Sequence, residues 1–239
     1  MSVLTLRLAG PLQAWGATAR FTRRTTESAP TKSGVIGLLA AACGISRSDD
    51  EQLKTLAALR FGVRIDQPGT RLRDFQTAIH WETDKSMPLT ERFYLADAVF
   101  VAALEGDLDL LTHLHTALKA PVYPPFLGRR SCPPAHPVDL HLHPDKNLQQ
   151  ALAEEPWQAS PWYTRRHRNT PLTLPILLEA PPDSPDADTL RDQPLSFAAE
   201  HRRHALRTIV RRDVDIPHPL AAPSPPRHDP FAVLPEEDA

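Results

Sequence analysis

Glycine and proline are distributed very unevenly along this sequence, and each residue type limits the folds that its half of the chain can adopt. All nine glycines lie at or before Gly128, whereas nineteen of the twenty-six prolines follow it. Because proline cannot donate a backbone hydrogen bond, its density after Gly128 favours extended segments and edge strands over helices. We therefore predict a regular domain over residues 1–145, a small, irregular, β-rich region over 146–216, and a poorly ordered, proline-rich, acidic tail over 217–239.

The hydrophobic pattern of the first domain predicts alternating strands and helices. Residues 3–8 alternate as in a half-buried strand. Ser33 is placed to cap the clearest helix, and Gly44 is placed to end it. The order strand, helix, strand, strand, helix, strand is that of a ferredoxin-like βαββαβ unit, an α+β fold that also forms RRM-like RNA-recognition modules. The other predicted elements are a short helix over 50–59, a strand over 61–65, a buried strand over 94–104, a helix over 107–119 and a strand over 138–142.

Segments outside that unit are less regular. Residues 67–92 lack a sustained period and contain two prolines and a glycine. We interpret them as a long excursion, such as an inserted hairpin, between two strands of the sheet. In the second half, residues 172–178 and 205–210 are predicted strands or short helices, and residues 181–194 are predicted to form a loop.

The charged residues form blocks that the formal net charge of −2 conceals. Residues 20–32 contain four basic side chains against Glu27 alone, residues 165–168 contain three arginines, and residues 201–212 contain five arginines and no acid. Such blocks can follow a phosphate backbone, although a solvated surface has the same composition. Charge therefore allows a nucleic-acid partner without requiring one.

The sequence offers little for metal, cofactor or membrane chemistry. The two cysteines lie far apart without ligand spacing, which predicts neither a disulfide nor a zinc site and fits a reducing cytoplasm. His141 and His143 would share a strand face, and His201 and His204 a helix face. No acidic partner is apparent for either pair, so we assign both to surface or packing. The longest apolar run, residues 35–43, is about half as long as a membrane-spanning helix.

Five stretches, in order along the chain, carry a family resemblance. They are LRLAGPLQAWG at 6–16, APTKSGVIGLLAAACGI at 29–45, RDFQTA at 73–78, ERFYLADAVFVAAL at 91–104 and PPFLGRRSCPPAHP at 124–137. Together they resemble the CasD-type subunits of type I-E CRISPR Cascade complexes, which are members of the Cas-five family and the RAMP superfamily. The resemblance covers residues 4–142 and is weak beyond Trp157.

The resemblance implies a fold, a ligand and partners. It implies a ferredoxin-like RAMP domain with a protruding thumb at 67–92, plus a small β-rich C-terminal part, which together hold the 5′ handle of the crRNA. It implies the backbone subunit CasC and the large subunit CasA as neighbours, CasB and CasE in the same complex, and target DNA reached only indirectly. Since CasE cuts the guide precursor in that arrangement, no catalytic residue is expected here.

Two other functions stay open at the level of sequence. Related RAMP proteins cleave RNA with a histidine or a similar general base, so the chain could be an endoribonuclease that processes the guide precursor. It could also be a free-standing module that binds single-stranded RNA. No phosphate-binding loop, nucleophile elbow or dinucleotide fingerprint is present in the sequence.

The first candidate RNA-binding residues lie at a predicted helix start and in a rigid loop. Thr31, Lys32 and Ser33 begin the helix that Ser33 is expected to cap, where free amides and the helix dipole attract phosphate. The alternative is that Ser33 only caps the helix and that Lys32 is solvated. Arg129 and Arg130 lie in a proline-fixed loop that the resemblance assigns to RNA or subunit contacts; structural ion pairs are the alternative.

The remaining candidates surround the first strand and the thumb. Arg20, Arg23 and Arg24 lie in a polar loop, where guanidinium groups can bind phosphates or stack on bases, or simply face solvent. Gln13 and Trp15 follow the first strand, where an indole can stack on a base and an amide can contact its edge. The alternative is that Trp15 closes the core beneath the sheet. The candidates at the thumb are Arg92 at its base and, with weaker support, Arg71, Arg73 and Trp81.

Overall fold

The helices and strands of the protein are described for residues 1–17, 23–168 and 172–219 of the computed structural model. The helices are α1 Lys32–Ala42, α2 Asp50–Ala57, α3 Leu108–Lys119, α4 Leu148–Glu154 and α5 Pro161–Arg166. The strands are β1 Ser2–Ala9, β2 Leu12–Gln13, β3 Arg23–Arg24, β4 Arg60–Gln67, β5 Thr70–Gln76, β6 Thr90–Ala96, β7 Val99–Gly106, β8 Asp139–His143, β9 Thr173–Glu179, β10 Ala187–Ser196 and β11 Arg203–Asp215. Within these described ranges, no helix has the length and hydropathy needed to cross a membrane.

The main sheet of the described residues has seven strands in the order β10, β11, β9, β4, β7, β1, β8, and neighbouring strands run antiparallel. Four of them, β4, β7, β1 and β8, combine with α1 and α3 into the βαββαβ unit. This strand order places β1 between β7 and β8, as a ferredoxin-like fold requires. The predicted fold class is therefore confirmed.

Strand β1 is covered on both faces, so the expectation of a half-buried strand is wrong. Leu4, Leu6 and Leu8 face the large core that α1 and α3 complete. Val3, on the opposite face, packs in a second core with Leu152 of α4. The alternation within β1 could not predict this second covered face, because the helix that covers it, α4, lies about 150 residues later in the chain.

Helix α1 begins two residues earlier than the capping prediction implies, with Thr31 as the N-cap. The side chain of Thr31, not that of Ser33, accepts a hydrogen bond from the amide of Gly34 at 3.3 Å. The predicted end at Gly44 is confirmed: its φ of 72° is easily adopted by glycine, and its amide donates to the Ala41 carbonyl at 3.1 Å.

The predicted excursion is a β-hairpin formed by β5 and β6, paired from Thr70 with Ala96 to Gln76 with Thr90. The single strand predicted over 94–104 is wrong because Asp97, with φ of 56°, breaks it into β6 and β7. β6 therefore leaves the main sheet and organises a second one, with β5 along one edge and β2 and β3 along the other.

The C-terminal strands extend the main sheet instead of forming a separate region. β9 pairs with β4 and also with β11, and β11 pairs with β10. The loop predicted over 181–194 is wrong, since β10 occupies most of it as the edge strand. Pro194 is tolerated there because the register shifts around it and an edge strand has an unpaired side. Of the tail predicted over 217–239, residues 220–239 lie outside the described residues.

Candidate nucleic-acid interface

The base of the β5–β6 hairpin brings most of the described candidate arginines together. Strand register places Arg24 beside Arg92, and Arg23 beside Glu91. Because successive side chains on a strand point to opposite faces, Arg24 and Arg92 share one face and Arg23 lies on the other. The candidates therefore form two separate surfaces.

One surface contains Arg24 and Arg92, and Arg129 packs against it. The guanidinium of Arg129 lies 4.8 Å from the centre of the Tyr94 ring, and its Nη2 donates to the Arg24 carbonyl at 2.9 Å. Gly128 before it has a φ of 81°, and a Cβ there would lie 1.9 Å from the Ala14 carbonyl oxygen. Arg129 is thus held in place by an aromatic ring, a carbonyl and a loop that only glycine allows.

These arginines form no direct ion pair within the described part of the chain, although Asp74 lies opposite Arg92 in the strand register. Among the described residues, no carboxylate forms an ion pair with Arg24, Arg92, Arg129 or Arg130, a set that we name the arginine cluster. Arg92 Nε and Arg129 Nη1 are also buried without an acceptor in the described part of the chain. A buried donor without an acceptor costs about 1–3 kcal/mol. An anion that approached the cluster would pair with the exposed guanidinium groups of Arg24 and Arg130.

On the opposite surface the arginines already have protein partners. Arg23 Nε lies 3.7 Å from a Glu91 carboxylate oxygen, and its guanidinium is 5.5 Å from the Phe93 ring centre. Arg73 pairs with the same carboxylate and lies 4.4 Å from the ring centre of Phe75. This surface is therefore less cationic than the arginine cluster, although Arg23 remains exposed.

A family model described as CRISPR-associated protein (Cas_Cas5) matches residues 3–210. The chain belongs to this Cas5 family. The CRISPR system Cascade subunit CasD of Escherichia coli (strain K12) is 40% identical in an alignment of 169 residues, which covers 63% of this chain and 75% of that protein. The resemblance to CasD-type subunits that the five stretches indicate is confirmed.

Solved structures agree with the Cas5 assignment. One described as a CRISPR RNA-guided surveillance complex contains a chain that is 32% identical, with a TM-score of 0.73 and coverage of 94% of this chain and 95% of that chain. Another, described as a crystal structure of a Cas protein, is 36% identical, with a TM-score of 0.67 and coverage of 94% and 100%.

Two of the residues expected to bind RNA are instead part of the Cas5 core. Gln13 and Trp15 have no exposed surface. The Gln13 side-chain amide donates to the carbonyls of Leu8 at 3.0 Å and Ala98 at 2.7 Å, and its oxygen accepts from Trp15 Nε1 at 2.9 Å. The expectation of base stacking is therefore corrected: the indole closes the core beneath the sheet, and its polar group is already paired.

The expected phosphate site at the start of α1 is also contradicted. Lys32 is 1% exposed, and its Nζ lies 3.0 Å from a Glu179 oxygen. Its backbone amide donates to the Asp192 carboxylate at 2.7 Å, and Thr31 is buried as the N-cap. Burial lowers the pKa of Lys32, and the nearby Glu179 only partly offsets that effect. A protein carboxylate already occupies the positive helix end where Thr31, Lys32 and Ser33 were expected to hold phosphate.

The other expected positions have different outcomes. Arg20 lies outside the described residues. Arg71 donates to the Thr26 carbonyl at 2.8 Å and so ties β5 to the loop before α1. Trp81 is 85% exposed near the tip of the hairpin, close to Ile79, which is 69% exposed. His204 belongs to strand β11, so the helix face predicted for the second histidine pair is wrong.

Proposed function

We propose that this protein is a non-catalytic subunit of a CRISPR Cascade-type surveillance complex and that its arginine cluster holds the 5′ handle of the crRNA. The observation that supports this most directly is the group of four arginines without a described carboxylate partner at the base of the hairpin. Membership of the Cas5 family, together with the 40% identity to a Cascade CasD subunit, supports the assembly in which the cluster acts.

The cluster suits the phosphate backbone of an RNA strand. Arg92 and Arg129 are half-buried and positioned by the sheet and by Tyr94, whereas Arg24 and Arg130 are exposed. Guanidinium groups bind phosphate through paired hydrogen bonds, and little order is lost when the groups are already fixed. The fixed pair would set the path of the strand, and the exposed pair would add affinity that decreases with salt.

The proposed neighbours are those of type I-E complexes: CasC along the backbone and CasA at the end of the guide, with CasB and CasE in the same particle and target DNA reached through the guide. The exposed apolar residues of the hairpin suit a protein or nucleotide contact better than solvent. We assign the hairpin tip to the thumb that presses on the guide where the handle meets the spacer. The exposed apolar residues of the hairpin are Leu72, Phe75, Ile79, Trp81, Met87 and Leu89.

The test is retention of guide RNA by the assembled complex. The chain would be tagged and co-expressed with its genomic neighbours and a repeat-spacer transcript, and the bound RNA would be sequenced. We expect a uniform repeat-derived 5′ end. Replacement of the exposed pair, Arg24→Glu with Arg130→Glu, should lower recovered guide by about tenfold, because two phosphate contacts are lost and two repulsive charges are introduced.

A matched control separates this effect from a general change of charge. Arg47→Glu with Lys54→Glu reverses two exposed charges in and beside α2, away from the hairpin. The control should retain guide at the level of the unmodified chain. Equal retention by both double variants would overturn the assignment of the arginine cluster. Cleavage of precursor RNA by the purified chain alone would instead make the protein the processing nuclease.

A further inference from the structure

A cluster of side chains that can bind a metal lies on β8, the edge strand of the main sheet at the far side from β10. His141 Nδ1 lies 3.0 and 3.2 Å from the two carboxylate oxygens of Glu155, and His143 Nε2 lies 2.9 Å from the nearer one. The three ligand atoms lie within 4.8 Å of one another. The expectation that no acidic residue joins this histidine pair is therefore wrong: Glu155 follows α4 and reaches both rings.

The elements around the cluster explain why these three residues meet. His141 and His143 are two positions apart on β8 and so share a face. The segment after α4 is fixed by Arg64, which has no exposed surface and donates to the Glu155 carbonyl at 2.7 Å. Arg64 is itself paired with the buried carboxylate of Asp66 at 2.7 Å. The Glu155 side chain is thus presented from a rigid backbone, as a preorganised ligand requires.

The three side chains of the cluster become more exposed from Glu155 through His143 to His141. The side chain of Glu155 is 0% exposed, that of His143 is 14% exposed and that of His141 is 63% exposed. Thr5 lies beneath them: its hydroxyl is within hydrogen-bonding distance of Glu155 and accepts the backbone N–H of His141 at 3.1 Å. A neighbour of this kind orients a carboxylate and strengthens it as a ligand. The cluster is closed on the protein side and open to water at His141.

Two imidazoles and one carboxylate, with one position open to water, are a ligand set typical of Zn²⁺. With metal–ligand bonds of about 2.0–2.2 Å, two ligands of a tetrahedral ion lie roughly 3.3 Å apart. The observed nitrogen–oxygen distances of 2.9–3.2 Å are close to that value, and because the three ligand atoms lie within 4.8 Å of one another, the two imidazoles would have to close around the ion. We propose that His141, His143 and Glu155 bind a divalent transition-metal ion of the Zn²⁺ class, with water as the fourth ligand.

The ion would act as a clamp between two parts of the chain. It joins the edge strand β8 to the segment that leads from α4 towards α5, which approaches the sheet through the contacts of Arg64. This role is separate from guide binding, since the arginine cluster lies on the hairpin sheet and shares no residue with the histidine cluster.

The test uses the full chain, freed of metal with a chelator and then titrated with Zn²⁺ in a calorimeter. We expect one equivalent to bind and to raise the midpoint of thermal unfolding. Co²⁺ in place of Zn²⁺ should give the visible absorption of a four-coordinate site. His141→Ala should weaken binding at least about tenfold, because a lost ligand contact is typically worth that much or more.

Two variants keep the result interpretable. His141 is mostly exposed, so its replacement should leave the fold intact even if changes at the less exposed His143 do not. The control is His113→Ala, which removes an exposed histidine from α3, away from the cluster. The proposal is overturned if the unmodified chain binds no equivalent of Zn²⁺, or if His141→Ala binds Zn²⁺ and Co²⁺ as the control does.

Discussion

Gln13 shows how a polar side chain can have a purely structural task. It satisfies two carbonyls and one indole N–H inside the core. Buried polar groups in proteins are paired with few exceptions, so a glutamine two positions before a tryptophan in a sequence can indicate either a base-binding site or an internal network. Composition does not distinguish the two, because the deciding partners, Leu8 and Ala98, are identified only by the fold.

Replacing Gln13 with alanine should therefore affect stability and not RNA specificity. The change leaves the Trp15 indole N–H without its acceptor and removes one hydrogen bond from each of two carbonyls, and we expect the free energy of unfolding to fall by about 3 kcal/mol. Urea denaturation measures this. Gln149→Ala, at an exposed position of α4, should change it by less than about 0.5 kcal/mol. A stable Gln13→Ala protein that no longer retained guide would restore the base-contact interpretation.

His204 gives the fold a dependence on pH. Burial lowers its pKa from the ordinary value of 6.5, the charge of Arg202 lowers it further, and Asp192 opposes them. The unfolded chain therefore binds the proton more tightly than the folded chain does. Stability from this residue is complete above the unfolded pKa and decreases as the pH falls from there through the lowered folded pKa.

The corresponding variant is His204→Gln, which keeps a polar side chain but cannot be protonated. The loss of stability between pH 7.5 and pH 5.5, about one unit on either side of an ordinary histidine pKa, should be smaller in the variant than in the unmodified chain. Urea midpoints at the two pH values measure it. An unchanged difference would mean that other groups produce the acid sensitivity.

At the scale of elements, the β5–β6 hairpin can lose its tip without losing a core residue, since Tyr94 and Leu95 lie near its base. Its last pair, Gln76 with Thr90, is close enough to be joined by a two-residue turn. Replacing residues 77–89 with Asn-Gly should leave the thermal midpoint nearly unchanged, because the deleted segment is mostly exposed. Guide recovery from the co-expressed complex should fall. Normal recovery would show that the tip takes no part in holding the guide.

Local sequence patterns identified the elements whose side chains repeat regularly and missed those that depend on distant pairing. β1, α1 and α3 have clear periods, and their positions are confirmed. β10 was missed because proline suggests a loop, and only its place at the sheet edge makes Pro194 acceptable. The four arginines of the cluster were all present among the sequence candidates. Their separation from Arg23 depends on how β3 pairs with β6, and that register cannot be inferred from either segment alone.

At the scale of the whole molecule, Asp192 connects the two halves of the chain. Its carboxylate accepts the α1 amide of Lys32 and two guanidinium hydrogen bonds from Arg207, at 2.7 to 2.9 Å. Asp192 and both of its partners, Lys32 and Arg207, are buried. The division into domains that the change in composition suggests is thus crossed by the hydrogen bonds of one buried side chain.

Asp192→Ala should destabilise the whole protein in a single transition. Removing one partner of a buried ion pair costs about 3–5 kcal/mol, and here it also leaves the Lys32 amide at the start of α1 without its acceptor. Calorimetry should show one shifted peak. Asp188→Ala, at an exposed position of the same strand, is the control and should shift it little. Two separate peaks would indicate that residues 1–145 fold independently of the rest.

The hydrogen bond from Lys32 to Asp192 also constrains how the protein is made. During synthesis a ribosome releases α1 long before it releases β10, so the first turn of the helix must wait for a carboxylate 160 positions later. Domains that fold as they emerge need all their partners within one continuous stretch. Here the N-terminal unit stays incomplete until most of the chain has been translated. A nascent chain stalled before β10 should therefore remain sensitive to protease.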